Sequence, residues 1–291
     1  MNMPSLCDMN SDFKISKVKR DSTQKQQDPH VHSYCEIFYL INGDCTFFVG
    51  HNIYKLNRGD LIIVPEGELH KSTYPEKGYS ERFVVCCKEA ILNWLKQLAG
   101  EEIVKESLTA GVISIPENRR DYIEKMMDNM LMEYQGQDVL SPAFVRTELL
   151  EMLLFIIRCR RFGQNVIKEF DTDNQLIQEI ATYVYENYNK RLSLEETARR
   201  FHISRSFLSK KFKTVTGFGF KEYIVNIRIK NACRLLLETK LSITDIAFEC
   251  GFNDSNYFGD AFRHMKGVSP NKYRKNKELV SLPAYYFCFP V

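Results

Sequence analysis

Long apolar runs are missing from this 291-residue chain, which argues against a membrane-spanning protein. No stretch approaches the roughly 18–20 apolar residues that a helix needs to cross a bilayer. The N-terminal segment also lacks the apolar core of a secretory signal. We therefore expect a cytoplasmic protein that does not bind membranes.

Paired-cysteine motifs are absent as well. The nine cysteines form no CxxC pair and match no zinc-finger spacing. We expect them to be reduced thiols that pack as small hydrophobic side chains. The composition, with 44% hydrophobic and 26% charged residues, is that of a globular protein that can bury an ordinary core.

A strong overall charge is also lacking, because the net charge is only +3, but the charges are unevenly distributed. Residues 1–170 contain 21 basic and 24 acidic residues, a net charge of −3, whereas residues 171–291 contain 19 and 13, a net charge of +6. A basic half indicates a module that binds a polyanion, although a solvated charged face would give the same count.

Residues 35–88 have the character of β-strands. Four short segments, CEIFYLI, CTFFVG, LIIVP and RFVVCC, are rich in β-branched and aromatic residues, and turn sequences such as Asn42-Gly43-Asp44 separate them. Closely spaced short strands predict a small all-β barrel or sandwich.

Helical periodicity replaces the strand pattern farther along. Residues 117–135 have apolar side chains at helical spacing, and residues 142–162 begin at a Ser-Pro start and are apolar on more than one face. The second helix must be buried on several sides, either against the barrel or against a second copy of the chain. We expect a homodimer through these helices.

The predicted organisation is an α+β chain of two domains. Residues 1–165 form a sensing and dimerisation domain, polar residues 166–174 form a linker, and residues 175–291 form an all-α domain.

A duplication marks the all-α domain. Ala198 and Ala247 are 49 residues apart, and each is followed four residues later by a turn residue, His202 or Gly251. Each turn then precedes a capped helix with aromatic and basic residues. The pattern predicts two helix-turn-helix units, at about 193–215 and 242–266.

The second helix of such a unit enters the major groove of DNA, where exposed polar side chains read base edges and lysines bind phosphates. In the first unit we expect Phe207, Leu208 and Phe212 to face inward. The candidate DNA-contacting residues there are Arg205, Ser206, Ser209, Lys210, Lys211 and Lys213. The alternative is an ordinary helical bundle with a basic wet face.

The last hundred residues resemble the DNA-binding domain of the AraC/XylS family of bacterial transcription regulators. The resemblance is carried by LSLEETARRFHISRSFLSKKFKTVTG, by ITDIAFECGFNDSNYFGDAF and by the closing GVSPNKYR. It implies two units that enter successive major grooves of double-stranded DNA, and RNA polymerase as a further partner. In the second unit the candidate residues are Ser255, Asn256, Tyr257, Gly259, Asp260 and Arg263.

Two residues depart from the family pattern. His202 stands where the family often has glycine, and histidine tolerates a left-handed backbone better than most residues. Asp260 stands where a basic residue is common, and its carboxylate repels phosphate although it can accept from a cytosine amine. We therefore expect the second unit to bind more weakly or more selectively than the first.

The N-terminal half contains the pattern His-x-His-x3-Glu-x6-Gly, and His70 closes a second segment that begins at Gly59. Both segments resemble the motifs of the cupin barrel, in which the matching residues of cupin enzymes bind metal. The metal-ligand positions would be His30, His32, Glu36 and His70. Residues i and i+2 of a strand share a face, and three imidazoles with a carboxylate suit Fe, Mn, Ni or Zn.

Three functions remain open. We expect the barrel to bind a small-molecule effector, with a sugar as one candidate, without an obligatory cofactor, and to activate transcription in response. The predicted pocket consists of His30, His32, Tyr34, Glu36, Tyr39, Phe47 and His70. The alternatives are a metal-dependent cupin enzyme, with a divalent transition metal, fused to a DNA-binding domain, and a DNA-binding protein whose barrel is purely structural.

Overall fold

The computed structural model describes residues 12–20, 30–75, 78–136, 138–162 and 174–275. Most of the predicted linker, 166–173, lies outside these residues. Within them, no helix is both long and apolar enough to cross a membrane.

Eight strands are found among the described residues of the N-terminal half. They are β1 (Phe13–Arg20), β2 (Cys35–Asn42), β3 (Cys45–Val49), β4 (Asn52–Leu56), β5 (Asp60–Val64), β6 (His70–Thr73), β7 (Ser80–Cys87) and β8 (Gly111–Ser114). A five-stranded sheet has the order β1-β7-β2-β5-β8, and a three-stranded sheet has the order β4-β3-β6. The predicted fold class is confirmed, with cupin-like sheets rather than a closed barrel among the described strands. The four predicted strand segments match β2, β3, β5 and β7.

Strand alternation separates two cores. On β2, Phe38 and Leu40 point between the two sheets and pack with Phe47 and Val64. Ile37, in the alternate register, points to the opposite face, where helices cover the large sheet. We call the space between the two sheets, which Phe38, Leu40, Phe47 and Val64 line, the sandwich interior.

In the part of the chain that the structure describes, four helices cover the outer face of the large sheet. They are α1 (Glu89–Ala99), α2 (Glu101–Ser107), α3 (Glu117–Gln135) and α4 (Ser141–Phe162). Leu149, Leu153 and Ile156 of α4 are fully buried in the core that they share with the sheet. Packing within one chain therefore accounts for much of the apolar character of this helix.

Seven helices lie within residues 174–275, the described part of the C-terminal half. They are α5 (Gln175–Glu186), α6 (Leu194–Arg200), α7 (Arg205–Thr216), α8 (Phe220–Glu238), α9 (Ile243–Glu249), α10 (Ser255–Lys266) and α11 (Pro270–Lys275). Two apolar clusters stabilise them. One joins α5, α7 and the first half of α8, and the other joins the second half of α8, α9 and α10. Each helix-turn-helix unit thus has its own core on the shared helix α8.

Candidate functional site

The predicted histidine cluster is assembled at one end of the sandwich interior. His30 pairs with the first residue of β6 through backbone hydrogen bonds of 3.1 and 3.2 Å, which brings the chain before β2 against His70. Glu36 lies on β2 and faces the same interior. One ligand atom from each of His30, His32, Glu36 and His70 lies within 4.8 Å of the others. All four predicted residues are therefore brought together.

Backbone carbonyls hold two of the rings in one orientation. Nδ1 of His32 lies 2.9 Å from the Tyr34 carbonyl oxygen, and Nδ1 of His70 lies 2.9 Å from the Glu68 carbonyl oxygen. A carbonyl only accepts, so each Nδ1 carries a proton and donates. The Nε2 atoms of both rings then face Glu36, at 3.2 and 4.0 Å from its Oε2.

Three of the four residues, His32, Glu36 and His70, are buried, and burial and neighbouring groups together set the charges of Glu36 and His70. Glu36 is 7% exposed and His70 is 1% exposed. Burial alone raises the pKa of Glu36, but the hydrogen bond to His32 and the neighbouring imidazoles outweigh it and bring the pKa to about 2. Burial lowers the pKa of His70 to about 3, against the opposing effect of Glu36. At neutral pH the carboxylate is ionised and His70 is neutral.

This arrangement fits a transition metal. Metal-binding histidines commonly donate their second ring N–H to a backbone carbonyl, which fixes the tautomer and aims the other nitrogen at the ion. Within the described residues, the buried Nε2 of His70 has no hydrogen-bond partner. The donor set of imidazole nitrogens and one carboxylate suits Zn, Fe, Mn or Ni.

Two further predicted pocket residues adjoin the cluster and one does not. The ring of Tyr34 stacks on His32 with centroids 3.8 Å apart, and Phe47 lies parallel to His70 at 6.1 Å. Tyr39 lies on the opposite face of β2, and its hydroxyl donates to Glu124 of α3 at 2.8 Å. The expectation that Tyr39 lines this pocket is wrong, because Tyr39 is an odd number of positions from Glu36 in the strand.

The two helix-turn-helix units have matching caps. Ser193 and Ser242 accept from the backbone N–H groups three residues later, at 3.1 and 3.0 Å, which starts α6 and α9. Ser204 caps α7 in the same way, at 3.1 Å, whereas Asp254 caps α10 by accepting from the Asn256 N–H, two residues later, at 2.7 Å. Caps of this kind stabilise a helix by about 1 kcal/mol each and fix where the chain enters it.

The turns differ between the units. His202 has a φ of 55° and is the only non-glycine residue with positive φ in the part of the chain described. Gly251, at the matching position, has a φ of 84°, and a Cβ there would meet the backbone of Asn189 at 2.7 Å. Four residues separate α6 from α7, and five separate α9 from α10. Only the second turn sterically requires glycine.

Most of the predicted DNA-contacting residues lie on the solvent-exposed faces of α7 and α10. In the first unit Lys211 is half-buried and the other predicted residues are exposed: Arg205, Ser206, Ser209, Lys210 and Lys213. In the second unit Ser255 and Gly259 are half-buried and the other predicted residues are exposed: Asn256, Tyr257, Asp260 and Arg263. Oδ1 of Asp260 lies 3.4 Å from Nη1 of Arg263, so the carboxylate is paired with a guanidinium on the same helix.

One exposed aromatic was misplaced by the sequence reasoning. Phe207 was expected to face inward with Leu208 and Phe212, but 48% of it is exposed, whereas the other two are fully buried. The duplication contained a signal for this exposure. Phe207 aligns with Tyr257, which was among the predicted DNA-contacting residues, whereas Leu208 and Phe212 align with Phe258 and Phe262.

Two family models match the chain. The AraC-like ligand binding domain matches residues 16–153, and a helix-turn-helix domain matches residues 197–276. The HTH-type transcriptional activator RhaR of Salmonella schwarzengrund is 22% identical over 247 residues, which are 84% of this chain and 86% of that protein.

Two solved structures are also similar. Apo ToxT from Vibrio cholerae strain SCE256 is 16% identical, with 91% of this chain and 98% of that chain covered and a TM-score of 0.39. The C-terminal domain of AraT, a response regulator from Geobacillus stearothermophilus, is 30% identical, with 39% and 93% covered and a TM-score of 0.35. Both TM-scores are low, and the family of the chain is shown by the two family models.

Proposed function

Because the chain belongs to the AraC family of transcription regulators, we propose that it is an activator whose sandwich interior binds a small-molecule effector and thereby controls DNA binding. The observation that carries this function is the pair of reading helices, α7 and α10, on one shared helix, α8. Their exposed faces supply hydroxyl, amide, ammonium and guanidinium groups, which suit base edges and phosphates.

The sensor and the first DNA-reading unit are in direct contact. Gln178 of α5 is buried, its Nε2 donates to the His51 carbonyl oxygen at 2.8 Å, and its Oε1 accepts from the Ile53 backbone N–H at 2.6 Å. Tyr223 of α8 is fully buried and donates to the Gly50 carbonyl oxygen at 3.0 Å. The turn between β3 and β4 therefore holds both helices.

The loop between β5 and β6 joins this contact to the histidine cluster. The Glu68 carboxylate forms an ion pair with Lys230 of α8, and its carbonyl oxygen accepts from Nδ1 of His70. Gly67, in the same loop, donates its backbone N–H to the His32 carbonyl oxygen at 2.9 Å. We infer that a ligand which moves the cluster also moves this loop and changes how α8 is held. Such a ligand shifts the population of arrangements only as far as it binds one better than another.

A second candidate concerns the cluster itself. The fixed Nδ1–H groups and the inward Nε2 atoms favour a divalent transition metal held by His30, His32, Glu36 and His70. Such a metal would supply a Lewis-acidic anchor for an oxygen atom of an effector. We propose it as part of the sensor and propose no catalytic role, since the regulator function needs binding alone.

The partners that we propose are double-stranded DNA, the effector, RNA polymerase and a second copy of the chain. Dimerisation would use the outward face of α4, where Phe144 is 54% exposed and Leu154 is 37% exposed. These side chains are separated by Thr147 and Glu151 on the same face, so the surface is mixed rather than continuously apolar.

Binding of the full chain to a random DNA library, followed by sequencing of the bound fraction, tests the function. Two units in one chain predict an enriched motif of two half-sites about one helical turn, roughly 10 base pairs, apart. Lys210→Ala should alter the motif, whereas Lys105→Ala on the exposed surface of α2 should leave it unchanged. Absence of any enriched motif at low salt would contradict the proposal.

A further inference from the structure

An arginine is buried at the end of the sandwich interior opposite the histidines. Arg82 lies on β7 and is 4% exposed. Its guanidinium carbon lies 5.0 Å from the ring centre of Tyr74 and 5.8 Å from that of Phe38. Phe47 lies between Phe38 and His70, with ring centroids 5.2 and 6.1 Å from theirs. Two phenyl rings therefore separate this arginine from the histidine cluster.

Arg82 has no carboxylate partner among residues 12–20, 30–75, 78–136, 138–162 and 174–275. Its Nη1 is buried there without a hydrogen-bond acceptor. The adjacent carboxylate, Glu81, points to the other face of β7, where it accepts from Tyr79 at 3.1 Å and lies 3.7 Å from Lys19. A buried guanidinium is unfavourable unless an anion or acceptors compensate it, and the two rings supply only part of that compensation.

Other polar groups converge on the same place. Ser80, two residues before Arg82 and on the same face of β7, is 5% exposed, and its Oγ has no hydrogen-bond partner among the described residues. Arg20 lies opposite Ser80 in the β1–β7 register and places its guanidinium carbon 4.6 Å from the Tyr74 ring centre. Burial raises the pKa of Tyr74, so its hydroxyl stays protonated. The site thus combines two cations with neutral hydroxyl groups.

We propose that Arg82, with Ser80 and Arg20, binds the anionic group of the effector, a carboxylate or a phosphate. Guanidinium groups bind both oxyanions through short charge-assisted hydrogen bonds, and a hydroxyl can donate a further one. The proposal rests on the proposed effector-binding function and narrows it to a small molecule that carries an oxyanion. A sugar acid and a sugar phosphate both have this chemistry, whereas a neutral sugar does not.

Titration calorimetry on the full chain tests the site, with sodium phosphate and sodium acetate as probes against sodium chloride at equal ionic strength. We expect one saturable site per chain for at least one probe. Arg82→Gln should weaken it by about 10- to 100-fold, since a hydrogen bond to a charged group is lost. Arg119→Gln is the matched control, because Arg119 also lies over two rings, Tyr122 and Phe155, but is exposed. This control should bind as the wild type does.

The two probes distinguish the sources of the anion. Preference for phosphate assigns a phosphorylated effector, and preference for acetate assigns a carboxylic acid. Binding by neither probe, or equal binding by wild type and Arg82→Gln, overturns the proposal. Phosphate held on the basic DNA-reading face would give that equal binding.

Folding and DNA binding are measured separately. Thermal unfolding without added anion should show Arg82→Gln at least as stable as the wild type, because an uncompensated buried charge is removed. If this variant fails to fold, Ser80→Ala replaces it, and loss of at least about threefold in affinity is then expected. Affinity for the library-selected DNA should be unchanged in either variant. Failure of the wild type to bind any DNA would contradict the proposed function and leave the anion result intact.

Discussion

Phe207 and Tyr257 occupy the same position in their respective reading helices, the third residue of α7 and of α10, and are 48% and 44% exposed. Their neighbours Leu208 and Phe258 are fully buried. Two bulky aromatic side chains thus project from the surfaces that also present the polar candidates. Aromatic side chains can contact the thymine methyl group in the major groove.

Phe207→Ala and Tyr257→Ala should each weaken specific DNA binding by roughly 1–2 kcal/mol, through lost apolar contact with bases or sugars. Stability should change little, because about half of each side chain is already in water. A gel-shift titration with thermal unfolding in parallel measures both effects. Phe212→Ala is the contrast, since it empties a buried site and should destabilise the protein by about 3–5 kcal/mol. Wild-type affinity in both exposed variants would mean that these rings do not reach DNA.

Lys210 and Lys213 should differ in what they contribute. Lys210→Ala should cost about 1–3 kcal/mol at the specific site if Lys210 contacts a base. Lys213→Ala should weaken all sequences alike and reduce the salt dependence by about one phosphate contact. Binding isotherms for specific and scrambled DNA at several salt concentrations separate the two. Specific binding that is unaffected by Lys210→Ala would show that another face of α7 enters the groove.

Metal content discriminates between the two proposals for the histidine cluster. A metal-containing sensor should carry close to one transition metal per chain after chelator dialysis, and His70→Ala should lose it, because the remaining donors bind much more weakly. A pocket without obligatory metal should contain little and variable metal. In both cases His70→Ala should still bind DNA, because His70 belongs to neither of the apolar cores that hold α7 and α10. Elemental analysis gives the content, and Tyr34→Phe serves as a variant that leaves all four ligands intact.

The ion pair between Glu68 and Lys230 should affect coupling more than stability. The Lys230 side chain is 41% exposed, so Glu68→Gln should lower the free energy of unfolding by less than about 1 kcal/mol. The same change should alter DNA affinity or the effector response, because α8 is then held less tightly. Glu238→Gln removes an exposed ion pair within α8, between Arg234 and Glu238, and is the matched control. Identical DNA binding and response in the two variants would exclude this loop as the connection.

A homodimer through α4 should weaken when its outward apolar side chains are removed. Phe144→Ser and Leu154→Ser together should raise the dissociation constant measured by sedimentation of the full chain at micromolar concentrations. Val139 is 91% exposed but lies before the helix, so Val139→Ser should have no effect if α4 itself forms the interface. A wild type that stays monomeric in the presence and absence of DNA would refute the dimer.

Much of the fold could be predicted because its signals are local. The helix caps at Ser193, Ser242 and Asp254 are written into short motifs. The resemblance to the cupin motifs also indicated the four side chains that the structure brings together. Tyr39 was misplaced although simple alternation from Glu36 puts it on the opposite face. That error was avoidable.

Other features depend on contacts between distant segments and leave no local signal. Gln178 is one polar residue on an amphipathic helix. Only the folded chain shows that its side-chain amide forms hydrogen bonds with the backbone of His51 and Ile53, at the turn between β3 and β4. The partnering of Glu68 with Lys230 spans 162 positions in the sequence. Arg82 similarly resembles any strand arginine until the two sheets enclose it.

The turns of the two DNA-reading units differ in length, with four residues in one and five in the other. The two units of one chain are therefore not equivalent to each other along the double helix. Because α7 carries Lys210 and Lys213 where α10 carries Asp260 and Arg263, the two ends of one chain's footprint cannot be exchanged. We therefore expect the DNA site of a single chain to be asymmetric rather than palindromic. We therefore expect inversion of that site in front of a promoter to reverse the orientation of the bound chain, so that transcription depends on the orientation of the site as well as on its position.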